Sequence, residues 1–131
     1  MKNEKSCGAF IVDNDKVLVI KQKKSGNFGF PKGHVEDGET EVQTVIREVK
    51  EETDVDIELL SNKRYYISYV QNENINKEVV YYLAKPINCD SQKKQEKEIS
   101  EILWVNIEDV ENTLSFENIK KLWLEAKKNY K

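Results

Sequence analysis

Glu48, Glu51 and Glu52 stand close together in the middle of the chain, with Glu41 one or more helical turns before them. If the stretch is helical, about 100° per residue puts the first three within about 100° of one another and Glu41 on the same side. Like charges at these spacings cost an isolated helix roughly 0.2 to 0.5 kcal/mol per pair, so a cation nearby would relieve the arrangement. Hard divalent ions such as Mg²⁺ take oxygen ligands, commonly one or two carboxylates completed by water and phosphate oxygens. Metal-assisted attack on phosphorus is the chemistry such a ridge supports. A solvated helix face would also use glutamates, and the stripe alone does not separate the two.

The surrounding spacing does. Gly33 is followed after five residues by Glu39, after seven more by Arg47-Glu48-Val49, after one by Glu51-Glu52, and past Thr53 and Asp54 by Val55. This run resembles the Nudix box. The resemblance implies an α+β fold, the Nudix α/β/α sandwich with a mixed β-sheet between helices. It also implies water attack on phosphorus in a nucleoside diphosphate linked to another group, with Mg²⁺ or Mn²⁺ as cofactor. Carried residue by residue, it makes Glu48, Glu51, Glu52 and the main-chain carbonyl of Lys32 metal ligands. Gly33, Glu39 and Arg47 become supports, the last two as an ion pair fixing loop to helix. Glu48 and Glu52 are the catalytic carboxylates of the box; the base for the attacking water is Glu48 or, from a later loop, Glu98. Glu98 also reads as one of several solvated glutamates between Glu96 and Glu101. One box position departs: Asp54 stands where the family has glycine, and Asp tolerates the left-handed helix end at a modest steric cost.

Outside the box, Phe28-Gly29-Phe30-Pro31-Lys32-Gly33-His34 is similar to the Phe-Pro-Lys-Gly-His signature of the asymmetrical bis(5′-nucleosyl)-tetraphosphatases, with Phe28 where that branch usually has Trp. A bridge of several phosphates needs cations beyond the metal, and the resemblance implies Lys32, His34 and Lys77 as phosphate contacts. In Lys77-Glu78-Val79-Val80-Tyr81-Tyr82-Leu83-Ala84 it implies Tyr81 as a base-stacking ring. Strand alternation puts Tyr81 and Tyr82 on opposite faces, so Tyr82 takes that role if the parity is reversed. Phe116, in Leu-Ser-Phe-Glu-Asn-Ile-Lys, resembles the second stacking ring and reads equally as core. The implied reaction is hydrolysis of diadenosine tetraphosphate to ATP and AMP. Another Nudix pyrophosphohydrolase activity, on RNA 5′ ends or nucleoside triphosphates, is the first alternative, and Lys21, Lys23 and Lys24 could begin the basic path RNA requires. A nucleotide-binding module without turnover is the second, disfavoured by the intact Glu48, Glu51 and Glu52.

These residues need elements to hold them. Ser6 to Val12 and Lys16 to Gln22 are rich in Val and Ile and flank Asp13-Asn14-Asp15, which predicts a hairpin. Ser25 to Gly38 holds four glycines and a proline, the composition of a long shaped loop. From Thr40 to Thr53, Val42, Val45, Ile46 and Val49 form an apolar stripe at helical spacing. Strands are expected at Asp56 to Leu60, Lys63 to Gln71 and Lys77 to Ala84, the last two joined by an Asn72 to Asn76 turn. A mobile loop is expected at Asp90 to Lys97 and a short strand at Ile102 to Val105. Phe116, Ile119, Trp123, Ala126 and Tyr130 predict a closing helix capped by Ser115, with Trp104 and Trp123 in the core.

A length of 131 residues suits a single domain spanning 1–131, and 38% hydrophobic residues suffice for a core, which excludes disorder as the main state. With 24 acidic and 21 basic side chains the net charge is −3, too small and of the wrong sign for generic nucleic-acid coating. The partner that the resemblance implies is a small-molecule nucleotide, with nucleic acid entering only as an RNA 5′-end substrate. No apolar run approaches the roughly 20 residues that span a bilayer, and the first residues lack a secretory h-region, so no membrane partner and a cytoplasmic location are expected. Cys7 and Cys89 have no metal-like spacing and are expected as buried, reduced thiols.

Overall fold

The computed structural model describes residues 2–88 and 98–130. Asn14 and Asp15, at φ 48° and 67°, make a two-residue turn between β1 (Lys2–Asp13) and β2 (Lys16–Gln22). Their short polar side chains tolerate the left-handed backbone that such hairpins need. The two strands pair only at Val12↔Val17 and Asp13↔Lys16, then separate. β2 continues antiparallel to β8 (Ile99–Asn106) and β3 (Phe28–Gly29). β1 runs parallel to β7 (Ile75–Asn88), from Lys2↔Ile75 to Ile11↔Ala84, and antiparallel to β4 (Lys32–His34). Beyond β7 lie β5 (Asp56–Leu59) and β6 (Tyr65–Gln71), both antiparallel to it.

Strand alternation sorts the core into two faces. Cys7, Ala9, Ile11, Val80 and Tyr82 meet Val45 and Val49 of α1 (Glu41–Thr53) on one side. Phe10, Tyr65, Tyr81 and Leu83 meet Ile119, Leu122, Trp123 and Ala126 of α3 (Glu117–Lys127) on the other, with Val110 and Leu114 around the short α2 (Val110–Thr113). This is the expected α+β sandwich, a mixed sheet between helices. Among the described residues no helix is long and apolar enough to cross a membrane.

Several local expectations are corrected. Val42 and Ile46 of the proposed apolar stripe are exposed, and the buried face of α1 carries Thr44, Val45, Val49, Glu52 and Thr53. The two threonines are buried without penalty because Thr44 Oγ1 donates to Glu39 Oε1 and Thr53 Oγ1 donates to the Val49 carbonyl. Asp54 takes the left-handed end at φ 59°, ψ 27°, and Lys50 Nζ sits 3.2 Å from both Asp54 and Asp56. The turn before β7 is shorter than expected, residues 72–74, and the hairpin register is Gln71↔Ile75. Ser115 is not the cap of α3; Phe116 holds that position without a side-chain bond. The last two strands are longer than expected, and Tyr130 lies past the helix end. Trp123 is fully buried and Trp104 half-buried against the α1-side core. Cys7 is buried, and burial pushes its thiol up to about 11, so it stays protonated. Cys89 and the Asp90 to Lys97 stretch lie outside the described residues.

Candidate active site

The strand registers lay the site out in rows. Lys32 of β4 faces Gly8 of β1, which faces Tyr81 of β7, which faces Tyr65 of β6. His34, Ser6, Val79 and Ile67 form the next row, and Glu4, Lys77 and Tyr69 the one after. Gly8 is needed here because a Cβ would lie 2.6 Å from Lys32 Cβ and 2.9 Å from Tyr81 Cε1, and would strike the Pro31 carbonyl. A glycine inside a strand-like hydrophobic run marks such close backbone approach, a signal the sequence reading passed over.

The box helix is fixed from its first turn. Thr40 Oγ1 accepts from Gln43 N at 3.1 Å while Gln43 Oε1 accepts from Thr40 N at 2.9 Å, a reciprocal cap. One turn further in, Arg47 uses all its donors. Nε and Nη2 donate to Glu39 at 2.6 and 2.9 Å, Nη1 to Glu48 at 2.7 Å and Glu51 at 3.2 Å, and Nη2 to the His34 carbonyl at 3.0 Å. The guanidinium holds the Glu39 carboxyl down at about 2, helped by the Glu36 amide. Arg47 thus ties the glycine-rich loop to the helix. Glu41 shares the helical face of the box acids but is taken up elsewhere: Arg64 donates to it through two nitrogens, Lys5 Nζ lies 2.6 Å away, and the Tyr82 hydroxyl donates to it at 2.6 Å.

A cavity of about 400 Å³ is lined by Lys32, Gly33, His34, Glu48, Glu51, Glu52 and Glu98, with Ser6 and Gln22. Glu52 is only 6% exposed and its Oε1 accepts from the Lys32 amide at 3.0 Å. Burial, and then the negative charge of Glu48, push its carboxyl up to about 8. Burial, and then Lys77, lower the Lys32 ammonium from its ordinary value. A buried carboxyl that resists ionisation beside other carboxylates is the electrostatic signature of a place suited to a cation. Oxygen-only donors of this kind fit a hard divalent ion. Among the described residues no three His, Cys, Asp or Glu side chains are already gathered as a finished cage, because Arg47 draws Glu48 and Glu51 toward itself. Gly33 packs against the Glu48 carboxylate so closely that a Cβ would overlap it. Gly33→Ala is therefore expected to displace Glu48 and cut turnover by about 10- to 100-fold, the scale of disturbed ligand support, with secondary structure by circular dichroism unchanged.

A second cavity, about 690 Å³, adjoins the first and shares Gln22 and Lys32 with it. Its walls include Phe28, Tyr69, Lys77, Tyr81 and Phe116, with Asn27, Gln71 and Asn118. Tyr81 is on the cleft face, and Tyr82 on the opposite face against α1. The Tyr81 ring is 1% exposed and stacked on Phe10 at 4.7 Å between centroids, which leaves it no open face for a base. That corrects the stacking expectation for Tyr81. The open rings are Phe116, 52% exposed, and Tyr69, 37% exposed, which the sequence reading missed. Tyr69 lies directly opposite Lys77, a pairing hidden by overestimating the preceding turn by two residues. Lys77 Nζ is 3.4 Å from Glu4, and exposed His34 approaches the same carboxylate at 3.9 Å.

The model of the NUDIX domain family matches residues 2–127. The asymmetrical bis(5′-nucleosyl)-tetraphosphatase of Sus scrofa is 28% identical over 93% of this chain and 92% of its own length. The mRNA decapping complex subunit 2 of Schizosaccharomyces pombe is 35% identical over 72% of this chain, which matches only 13% of that longer protein. A binary complex of the C. elegans Ap4A hydrolase superposes with a TM-score of 0.83 at 25% identity, covering 95% of this chain and 96% of that one. With the box acids, the sandwich fold and these matches together, the chain belongs to the NUDIX family and is a hydrolase of that family.

Proposed function

We propose that this enzyme hydrolyses dinucleoside polyphosphates, with diadenosine tetraphosphate cleaved to ATP and AMP. The observation that carries the reading is the continuity of the acid cavity with the aromatic cavity through Lys32 and Gln22. A phosphate chain reaching one end of the site brings its nucleoside to the other. The tetraphosphatase relative, similar over nearly its whole length, supports the same choice.

NUDIX hydrolases generally use divalent metal ions. Glu48, Glu51, Glu52 and the Lys32 carbonyl would hold Mg²⁺ or Mn²⁺, which when bound neutralises charge developing on the phosphate oxygens. The chain's own residues do the rest. Lys32 reaches both cavities, and with Lys77 and His34 supplies hydrogen-bond donors along the bridging phosphates. A carboxylate of the acid cavity, Glu48 or Glu98, takes the proton of the attacking water as its oxygen bonds to phosphorus and the bridging P–O bond breaks. Glu52, buried and bonded to the Lys32 amide, fixes the loop that presents Lys32. Phe116 and Tyr69 offer the open faces on which a base stacks, worth about 1 to 3 kcal/mol per base.

The test is product analysis over diadenosine tetraphosphate, nucleoside triphosphates and 5′-triphosphorylated RNA. ATP and AMP in equal amounts, formed with the highest kcat/KM of the panel, are expected; faster turnover of RNA or of nucleoside triphosphates would overturn the reading. The RNA alternative is favoured by the 35% identity to the decapping subunit. Against it, Lys21 is engaged by Glu101 at 4.0 Å and lies 5.6 Å from the Phe28 ring centroid, so it does not stand clear as the start of a basic path.

A further inference from the structure

The two lips of the aromatic cavity come from distant parts of the chain. Asn27 and Phe28 form one, Phe116 and Asn118 the other. Ser115, which lines neither cavity, joins them. Ser115 Oγ accepts from the Phe28 amide at 2.8 Å, and the Ser115 amide donates to the Phe28 carbonyl at 3.2 Å. This reciprocal pair makes Ser115 act as a one-residue neighbour alongside β3, whose other side is already paired with β2 at Lys21↔Phe28 and Ile20↔Gly29. The hydroxyl expected to cap α3 is spent across the cavity instead, and α3 begins at an uncapped Phe116.

We infer that Ser115 is a specificity-determining positioning residue, a latch that fixes the separation of the Phe28 and Phe116 lips and so the fit of a nucleoside between them. The inference rests on the reading of this cavity as the nucleoside site. Phe116 is exposed and follows Ser115 directly in the chain, so the latch acts on the backbone that carries its ring. Loss of the hydroxyl leaves the Phe28 amide without its acceptor and frees the Phe28 lip to shift, while the acid cavity, built from β4 and α1, keeps its own supports. A base would lose fit; a bare phosphate chain would not.

Calorimetric titration in Mg²⁺ buffer with AMP, and separately with imidodiphosphate as a non-hydrolysable pyrophosphate, separates the two effects for wild type, Ser115→Ala and Ser115→Thr. Ser115→Ala is expected to weaken AMP binding about five- to ten-fold, the scale of one hydrogen bond, and to leave imidodiphosphate binding unchanged. Ser115→Thr, which keeps the hydroxyl, restores AMP affinity. Equal AMP affinity in wild type and Ser115→Ala, parallel loss of both ligands, or failure of threonine to rescue overturns the latch. If the wild type binds AMP no more tightly than ribose 5-phosphate, the nucleoside-cavity reading falls first and the latch with it.

Discussion

Glu52→Gln is expected to abolish turnover, by about 10²- to 10³-fold or more, while making the metal-free protein more stable at pH 8. Both halves come from one carboxyl. Glu52 is buried, adjoins Glu48, and has its carboxyl raised from 4.5 to about 8. The sign follows from proton counts: between about 4.5 and 8 the folded state keeps a proton that the unfolded state has released. The contribution of Glu52 to the stability of the metal-free protein is thus full below 4.5, falls as pH rises, and reaches its deficit above about 8. The deficit is of the order of a few kcal/mol. Glutamine keeps an oxygen for the Lys32 amide, now at 3.0 Å, but carries no charge and does not titrate. Melting curves from pH 5 to 8.5 should show a falling Tm for wild type and a flatter line for Glu52→Gln, with the two diverging upward. Parallel curves would mean that the buried carboxyl is not the source of the strain.

Arg47→Ala should cost about 3 kcal/mol of stability and about 10- to 100-fold in turnover, and Arg47→Lys should recover little of either. The guanidinium makes five hydrogen bonds to four residues, Glu39, Glu48, Glu51 and His34. Its removal leaves carboxylates facing one another with no counter-charge, and frees the loop from the helix. An ammonium supplies the charge but not the fork that engages both Glu39 oxygens while reaching the His34 carbonyl. Denaturant unfolding together with kcat for the two variants checks this. A lysine variant close to wild type in both would reduce Arg47 to a simple counter-ion.

The box helix, its acidic face and the opposite parity of Tyr81 and Tyr82 were legible because each depends on local periodicity. What escaped was non-local or rested on competition between groups. The parallel pairing of β1 with β7 joins opposite halves of the chain, and nothing in either strand announces it. It nevertheless sets the rows that bring Lys32, Tyr81 and Lys77 onto one face. Glu52 reads in sequence as a ligand of the same standing as Glu48 and Glu51; only the docking of α1 on the sheet shows that it alone of the three shares the buried side with Val45 and Val49. Ser115 sits where a helix cap belongs, yet the Phe28 amide takes its hydroxyl. Turn 72–74 contains no glycine, so its positive φ values at Asn72 and Glu73 were invisible, and with them the pairing of Tyr69 with Lys77.

The carboxylate cavity as a divalent-ion site is the centre of this account, and Mn²⁺ titration followed by electron paramagnetic resonance measures it without turnover. Wild type should remove free Mn²⁺ signal stoichiometrically, more so with AMP present, and Glu48→Gln and Glu52→Gln should each weaken that uptake by an order of magnitude or more. Uptake by both variants equal to that of the wild type would place the ion elsewhere and contradict the assignment.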